Sequence, residues 1–131
     1  MQRYLAAGGG PFVDVVNVHL HPAQTRGPEH KPLLQALRRL LGAYRVARPI
    51  WDTEANYMFS QRILDDATAV AFVGRTYLWS AGQGLSRMYW HAWEMQHPAV
   101  AIRMTRSDLT TPTPAARAFG HGAGLGRRVA T

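Results

Sequence analysis

The residues of this 131-residue chain best suited to chemistry are a glutamate and two histidines at the ends of apolar runs. In Arg48-Pro49-Ile50-Trp51-Asp52-Thr53-Glu54-Ala55-Asn56-Tyr57, Ile50 and Trp51 read as the interior of a short buried strand. Asp52, Thr53 and Glu54 come where that strand should run out. A carboxylate at the C-terminal end of a strand, with a helix following, is where α/β barrels place their chemistry. The same pattern also describes a solvated charge at an ordinary strand end. His19 and His21 close an earlier run, Phe12 to His21, and alternate onto one of its faces. Pro22 has no N–H for a sheet ladder and stops that run.

The elements that must carry these residues follow from period and punctuation. Met1 to Ala7 reads as the last turns of a helix, stopped at Gly8-Gly9-Gly10. Phe12 to His21 is rich in β-branched residues and nearly continuous in apolar character, as in a strand covered on both faces. Pro32 suits the first helical turn. Leu33, Leu34, Leu37, Leu40 and Leu41 then repeat at three and four, giving an amphipathic helix that ends at Gly42. The strand at 48–54 follows. A long helix is predicted from about residue 62 to 81, with Ala67, Val70, Ala71, Gly74, Tyr77 and Leu78 on one face and Gly82 and Gly84 at its end. Leu85 to Trp93 reads as a third strand, with Glu94 just beyond it. Residues 96–112 read as loop, and Pro114 to Phe119 as the start of another helix. Residues 120–131 alternate glycine with little apolar period and read as a disordered tail. Strand and helix alternating at this spacing predict parallel β/α units.

Composition narrows the classes. Apolar residues make up 47%, enough for a core, and no cysteine is present for disulfides or thiolate metal sites. No apolar run reaches the roughly 18 residues a membrane span needs. The formal charge is +7, nearly all from arginine, but the arginines are scattered and form no stripe with interleaved aromatics. Solubility and weak anion attraction account for such a balance better than nucleic-acid binding. No membrane or nucleic-acid partner is therefore expected.

Three segments together resemble the C-terminal part of retaining glycoside hydrolases built on a (β/α)8 barrel, the clan of cellulases, β-mannanases and β-xylosidases. Asp14 to His21 is similar to its sixth strand, Pro49 to Glu54 to its seventh, and Arg87 to Trp93 to its eighth. Leu109-Thr110 and Pro114 to Phe119 are similar to the start of its last helix. The likeness spans residues 4–119, and Trp51-Asp52-Thr53-Glu54 is its most specific part. It implies an α/β fold: a partial (β/α)8 TIM barrel, about the last three β/α units, in one domain over residues 1–119. A full barrel takes about 250 residues. Glu54 matches the catalytic nucleophile, which attacks the anomeric carbon to form a glycosyl-enzyme intermediate. His19 matches a strand-six histidine near that nucleophile. His21 stands where the family often has tyrosine, so its role stays open. Trp90 matches the aromatic floor beneath the sugar, with Tyr57 and Trp93 as further substrate contacts. The resemblance implies carbohydrate as partner, no cofactor, and possible self-association through open sheet edges. Members of the family are often secreted, and no export signal is visible at residue 1.

One half of that chemistry has no match. A retaining enzyme needs a second carboxylate about 5 Å from the first. The family places it as a glutamate after asparagine on strand four. The chain's glutamates are Glu29, Glu54 and Glu94, and none follows asparagine. A glycosidase fragment with little turnover of its own is the expectation. A non-catalytic sugar-binding remnant is one alternative. A metal-dependent hydrolase, with His19, His21, His91 and Asp52 or Glu54 as ligands, is another.

Overall fold

A computed structural model describes residues 1–20, 31–57, 63–93 and 100–129. In chain order the elements are α1 (Gln2–Ala6), a 3-10 turn (Gly10–Phe12), β1 (Val16–Val18), α2 (Lys31–Ala43), β2 (Ile50–Ala55), α3 (Asp66–Gly82), β3 (Arg87–Trp90) and α4 (Pro114–Val129). The three strands form one parallel sheet in the order β1-β2-β3. Each crossover between them carries a helix, as parallel neighbours require.

The three helix ends share one device. Gly9 N–H donates to the Tyr4 carbonyl beyond α1, Val46 N–H to Leu41 beyond α2, and Leu85 N–H to Ser80 beyond α3. Each is the long bond of a Schellman motif, which needs one residue in the left-handed region. Gly8 (φ 85°) and Gly84 (φ 65°) fill that position without strain. After α2 it is Arg45 (φ 55°), so α2 runs one residue past the glycine expected to end it.

Helix α3 starts later than its period predicts. Asp65 is its N-cap, accepting from the Thr68 amide at 2.9 Å. Its buried face is also not the expected one. Ala69, Phe72, Val73, Thr76 and Ser80 are buried, whereas Ala67, Ala71 and Leu78 are exposed. The helix is apolar nearly all round, so periodicity alone does not choose a face. The first and third strands are shorter than their apolar runs. Phe12 is 81% exposed, Asp14 and His19 are exposed, and of the residues flanking β1 only Leu20 is buried, its amide going to the Asp52 side chain instead of to the ladder.

Two cores lie on the helix side of the sheet. Leu5, Val16, Leu34, Leu41 and Ile50 form one between the sheet and α2. Tyr57, Ala69, Phe72, Val73, Ala101, Ile102, Met104, Ala115 and Ala116 form the other, between α3 and α4. Segment 100–105, expected to be loop, carries no regular element yet supplies some of the most buried side chains. Its backbone is paired instead: Ala101 N–H donates to Tyr57, Leu64 N–H to Ala101, and Thr113 N–H to Met104. Helix α4 continues past Phe119 through the glycine-rich stretch expected to be a tail. Gly122 lies where a Cβ would stand 3.2 Å from the Tyr77 ring, so glycine lets α4 approach α3 closely there. Residues 130–131 lie outside the described residues.

The other sheet face is open. Asn17, Arg87 and Tyr89 are exposed, and Trp51 and Thr53 half-buried. The Arg87 guanidinium stacks over the Trp51 ring at 4.7 Å, and Tyr89 lies 6.2 Å from it. Among the described residues no helix is long and apolar enough to cross a membrane.

One loop gives a pH prediction. Asp108 accepts from the Thr110 and Thr111 amides and from the Thr111 hydroxyl, which holds its carboxyl down at about 2. A lowered folded-state value means the stabilisation is full above the ordinary aspartate range near 4 and is lost as pH falls through about 2. The melting-temperature gap between wild type and Asp108→Ala should therefore be widest above pH about 5 and shrink towards pH about 2. A gap that does not change with pH would contradict this.

Candidate active site at the strand ends

Glu54 sits at the C-terminal end of β2, and a bulge aims it. Ile50 and Asp52 face the helices, so strict alternation would turn Glu54 the same way. Asp52 pairs with Met88 and Ala55 with Trp90, which places one extra residue on β2. Ala55 thereby returns to the buried side and Glu54 joins the open face. Re-aiming a side chain is a recurrent use of such bulges.

The Glu54 carboxylate lies between two imidazoles. Its Oε2 is 3.3 Å from His19 Nδ1 and its Oε1 is 3.7 Å from His91 Nε2. A proton on His19 Nδ1 makes that contact a hydrogen bond donated to the carboxylate. The Glu54 side chain is 26% exposed and His19 50%, so the group can reach solvent and ligand.

Beneath the open face, Asp52 is only 2% exposed. Its Oδ1 accepts from Leu20 N–H at 3.2 Å and from Glu54 N–H at 3.3 Å. Asp52 lines a cavity of about 10 Å³ together with Thr76, Trp79 and Ser80 of α3. Asn56, 1% exposed, ties the strand ends together. Its Nδ2 donates to the His91 carbonyl and, at 3.3 Å, to that of Ile102, while its Oδ1 accepts from Tyr57 N–H at 2.6 Å. Asn56→Ala should lower unfolding free energy by about 3 kcal/mol, because it breaks these bonds inside the protein. Chemical denaturation checks this, and a loss below about 1 kcal/mol would contradict it.

Of the residues singled out from sequence, Glu54 and His19 meet. His91, considered there only as a metal ligand, joins them; Arg87, Tyr89 and His91 share one face at a period of two, and that spacing was the signal for it. Trp90 packs on the helix side, edge-on to Phe72 (6.4 Å) and Phe119 (6.4 Å). Its indole N–H is buried without a partner among the described residues. Tyr57 is buried edge-on to Phe72 at 5.3 Å. Trp93 is 42% exposed and packs on Phe119 at 5.3 Å. His21, Glu29 and Glu94 lie outside the described residues. Among the described residues no group of three metal-ligating side chains has the geometry to hold an ion.

The fold defined by these elements is an α/β one with a three-stranded parallel sheet, and it recurs as part of structures from glycoside hydrolase family GH128. The particular neighbours include a GH128 subgroup I endo-β-1,3-glucanase from Amycolatopsis mediterranei, solved in complex with laminaripentaose. The chain is 21% identical to it with a TM-score of 0.64, covering 89% of this chain and 49% of that one. The same glucanase with laminaritriose gives a TM-score of 0.65 over 92% and 50%. A GH128 subgroup VII oligosaccharide-binding protein from Trichoderma gamsii is 14% identical, with a TM-score of 0.56 over 86% and 42%. The chain thus spans about half the length of these structures. No protein-family model matches the chain, and no curated protein matches it in sequence.

Proposed function

We propose that this chain is the nucleophile-bearing part of a retaining glycoside hydrolase, with Glu54 as the nucleophile. The observation that carries this is the bulge-aimed carboxylate at a parallel strand end, flanked by His19 and His91. Glu54 would attack the anomeric carbon as the glycosidic C–O bond breaks, leaving a covalent glycosyl ester that water then hydrolyses. His19 would hold the carboxylate in place by donating to it. Trp93, 42% exposed, stands for the aromatic side of the cleft and His21 for a further sugar contact, while Tyr57 and Trp90 lie in the α3–α4 core and would act only as packing behind the strand ends. The glucanase neighbours, solved with laminari-oligosaccharides, support a β-1,3-linked gluco-oligosaccharide as ligand.

The open sheet face supports reading the chain as part of a barrel whose remaining strands would cover Trp51, Arg87 and Tyr89. The purified chain is then expected to associate through that face and its sheet edges. Sedimentation should show a dimer or larger species, and a monomer with a cooperative melt would count against the half-barrel.

A second reading has its own support. Glu54 is the one glutamate among the described residues, and the neighbouring Asp52 is buried against α3, so neither supplies a second acid on the open face to protonate a leaving group. One neighbour is an oligosaccharide-binding protein. Laminaritriose titrated into the chain, followed by turnover assays on an aryl β-glucoside, separates the readings. Binding with negligible turnover is the expected result. Sustained turnover lost in Glu54→Ala would show that the chain needs no other acid, and absence of any binding would overturn the sugar site.

A further inference from the structure

The mechanism leaves one buried ionisable group unused, and it lies directly under the site. Asp52 is the last β2 residue paired with β1, opposite Val18. Beyond that point its side chain takes over from the ladder. A single oxygen, Oδ1, accepts the amide of Leu20, next to His19, and the amide of Glu54. The extra residue of a bulge is left without its ladder partner. Here the carboxylate supplies an acceptor for the Glu54 amide within that bulge. Asp52 is 2% exposed and the bond from the Leu20 amide is buried, so water competes little for that acceptor.

We propose that Asp52 is the positioning residue of the strand-end site: its carboxylate fixes the bulge that aims Glu54 and fastens it to the main chain beside His19. Asp52 itself faces the helices and does not touch a ligand. The proposal deepens the reading of Glu54 as nucleophile, and its functional meaning rests on that reading, but its test uses no sugar. A failure of sugar binding and a failure of the clip are therefore separate results.

The test is amide hydrogen exchange by NMR on the wild-type chain, Asp52→Asn and Asp52→Leu, with the His19 imidazole resonances followed in the same samples. Asparagine keeps an oxygen acceptor of the same shape; leucine removes it. In wild type, the Leu20 and Glu54 amides should be protected like β2 ladder amides. Asp52→Asn should retain that protection and the His19 resonances. Asp52→Leu should speed exchange at those two amides by about tenfold beyond any change at Trp51, and shift the His19 resonances. A merely structural role would speed all core amides together. Free-loop exchange of the two amides in wild type overturns the proposal, and needs no variant to fold. Equal loss of protection in Asp52→Asn and Asp52→Leu, or full retention in Asp52→Leu, overturns it as well.

Discussion

Glu54→Gln should stop glycosyl transfer from an activated donor, slowing fluoride release from 2-deoxy-2-fluoro-β-glucosyl fluoride by on the order of 10³-fold or more. Fluoride leaves without needing a proton, so this half-reaction does not require the acid that the described residues lack. The carboxamide is nearly isosteric with the carboxylate but carries no charge and is a poor nucleophile. His19 and His91 would still flank it, so shape and packing are kept while the chemistry is removed. Fluoride release is followed with an ion-selective electrode on folded protein of both kinds. Equal rates in wild type and Glu54→Gln would mean that another group, or solvent alone, accounts for the release.

Phe72→Ala should be the most destabilising single truncation in the chain. Phe72 is 7% exposed at the centre of the α3–α4 core, edge-on to both Tyr57 and Trp90. Losing a buried phenylalanine costs about 3–5 kcal/mol. Each aromatic pair can add about 0.5–1.5 kcal/mol beyond its buried area. Small domains hold only about 5–15 kcal/mol in all, so the variant should be largely unfolded or melt far below wild type. Leu78→Ala is the control on the same helix. Leu78 is 69% exposed, and its truncation should stay within about 0.5 kcal/mol. Urea titrations measure both. A Phe72→Ala loss no larger than that of Leu78→Ala would contradict the packing described here.

How far the sequence anticipated this molecule depends on what kind of signal each part carries. Helix α2 was legible because its leucines repeat at three and four against arginines, and the ends of α1 and α3 because glycine marks the left-handed position. The face of α3 was not, since Phe72 and Val73 on one side are matched by Ala71 and Leu78 on the other. Pairing, rather than composition, explains the burial of Val100 to Thr105: an irregular segment can enter a core once Tyr57, Leu64 and Thr113 satisfy its backbone. Glu54 was legible as a strand-end carboxylate, but the bulge that turns it outward is a property of how β2 pairs with β3. Asp52 looks in sequence like one more polar strand-end residue, and only its position beneath the two strand ends marks it out. The glycines of 120–126 suggest a tail by composition, whereas Gly122 against Tyr77 shows one of them serving helix packing.

Attack by Glu54 on a sugar is the central proposed step. Peptide mapping by mass spectrometry after incubation with the fluorinated glucosyl fluoride tests it most directly. One fluoroglucosyl adduct per chain, on Glu54 itself, is the expected result. An adduct on another residue, or none from protein that binds laminaritriose, would contradict it, the second outcome leaving a sugar-binding module in place of a nucleophile.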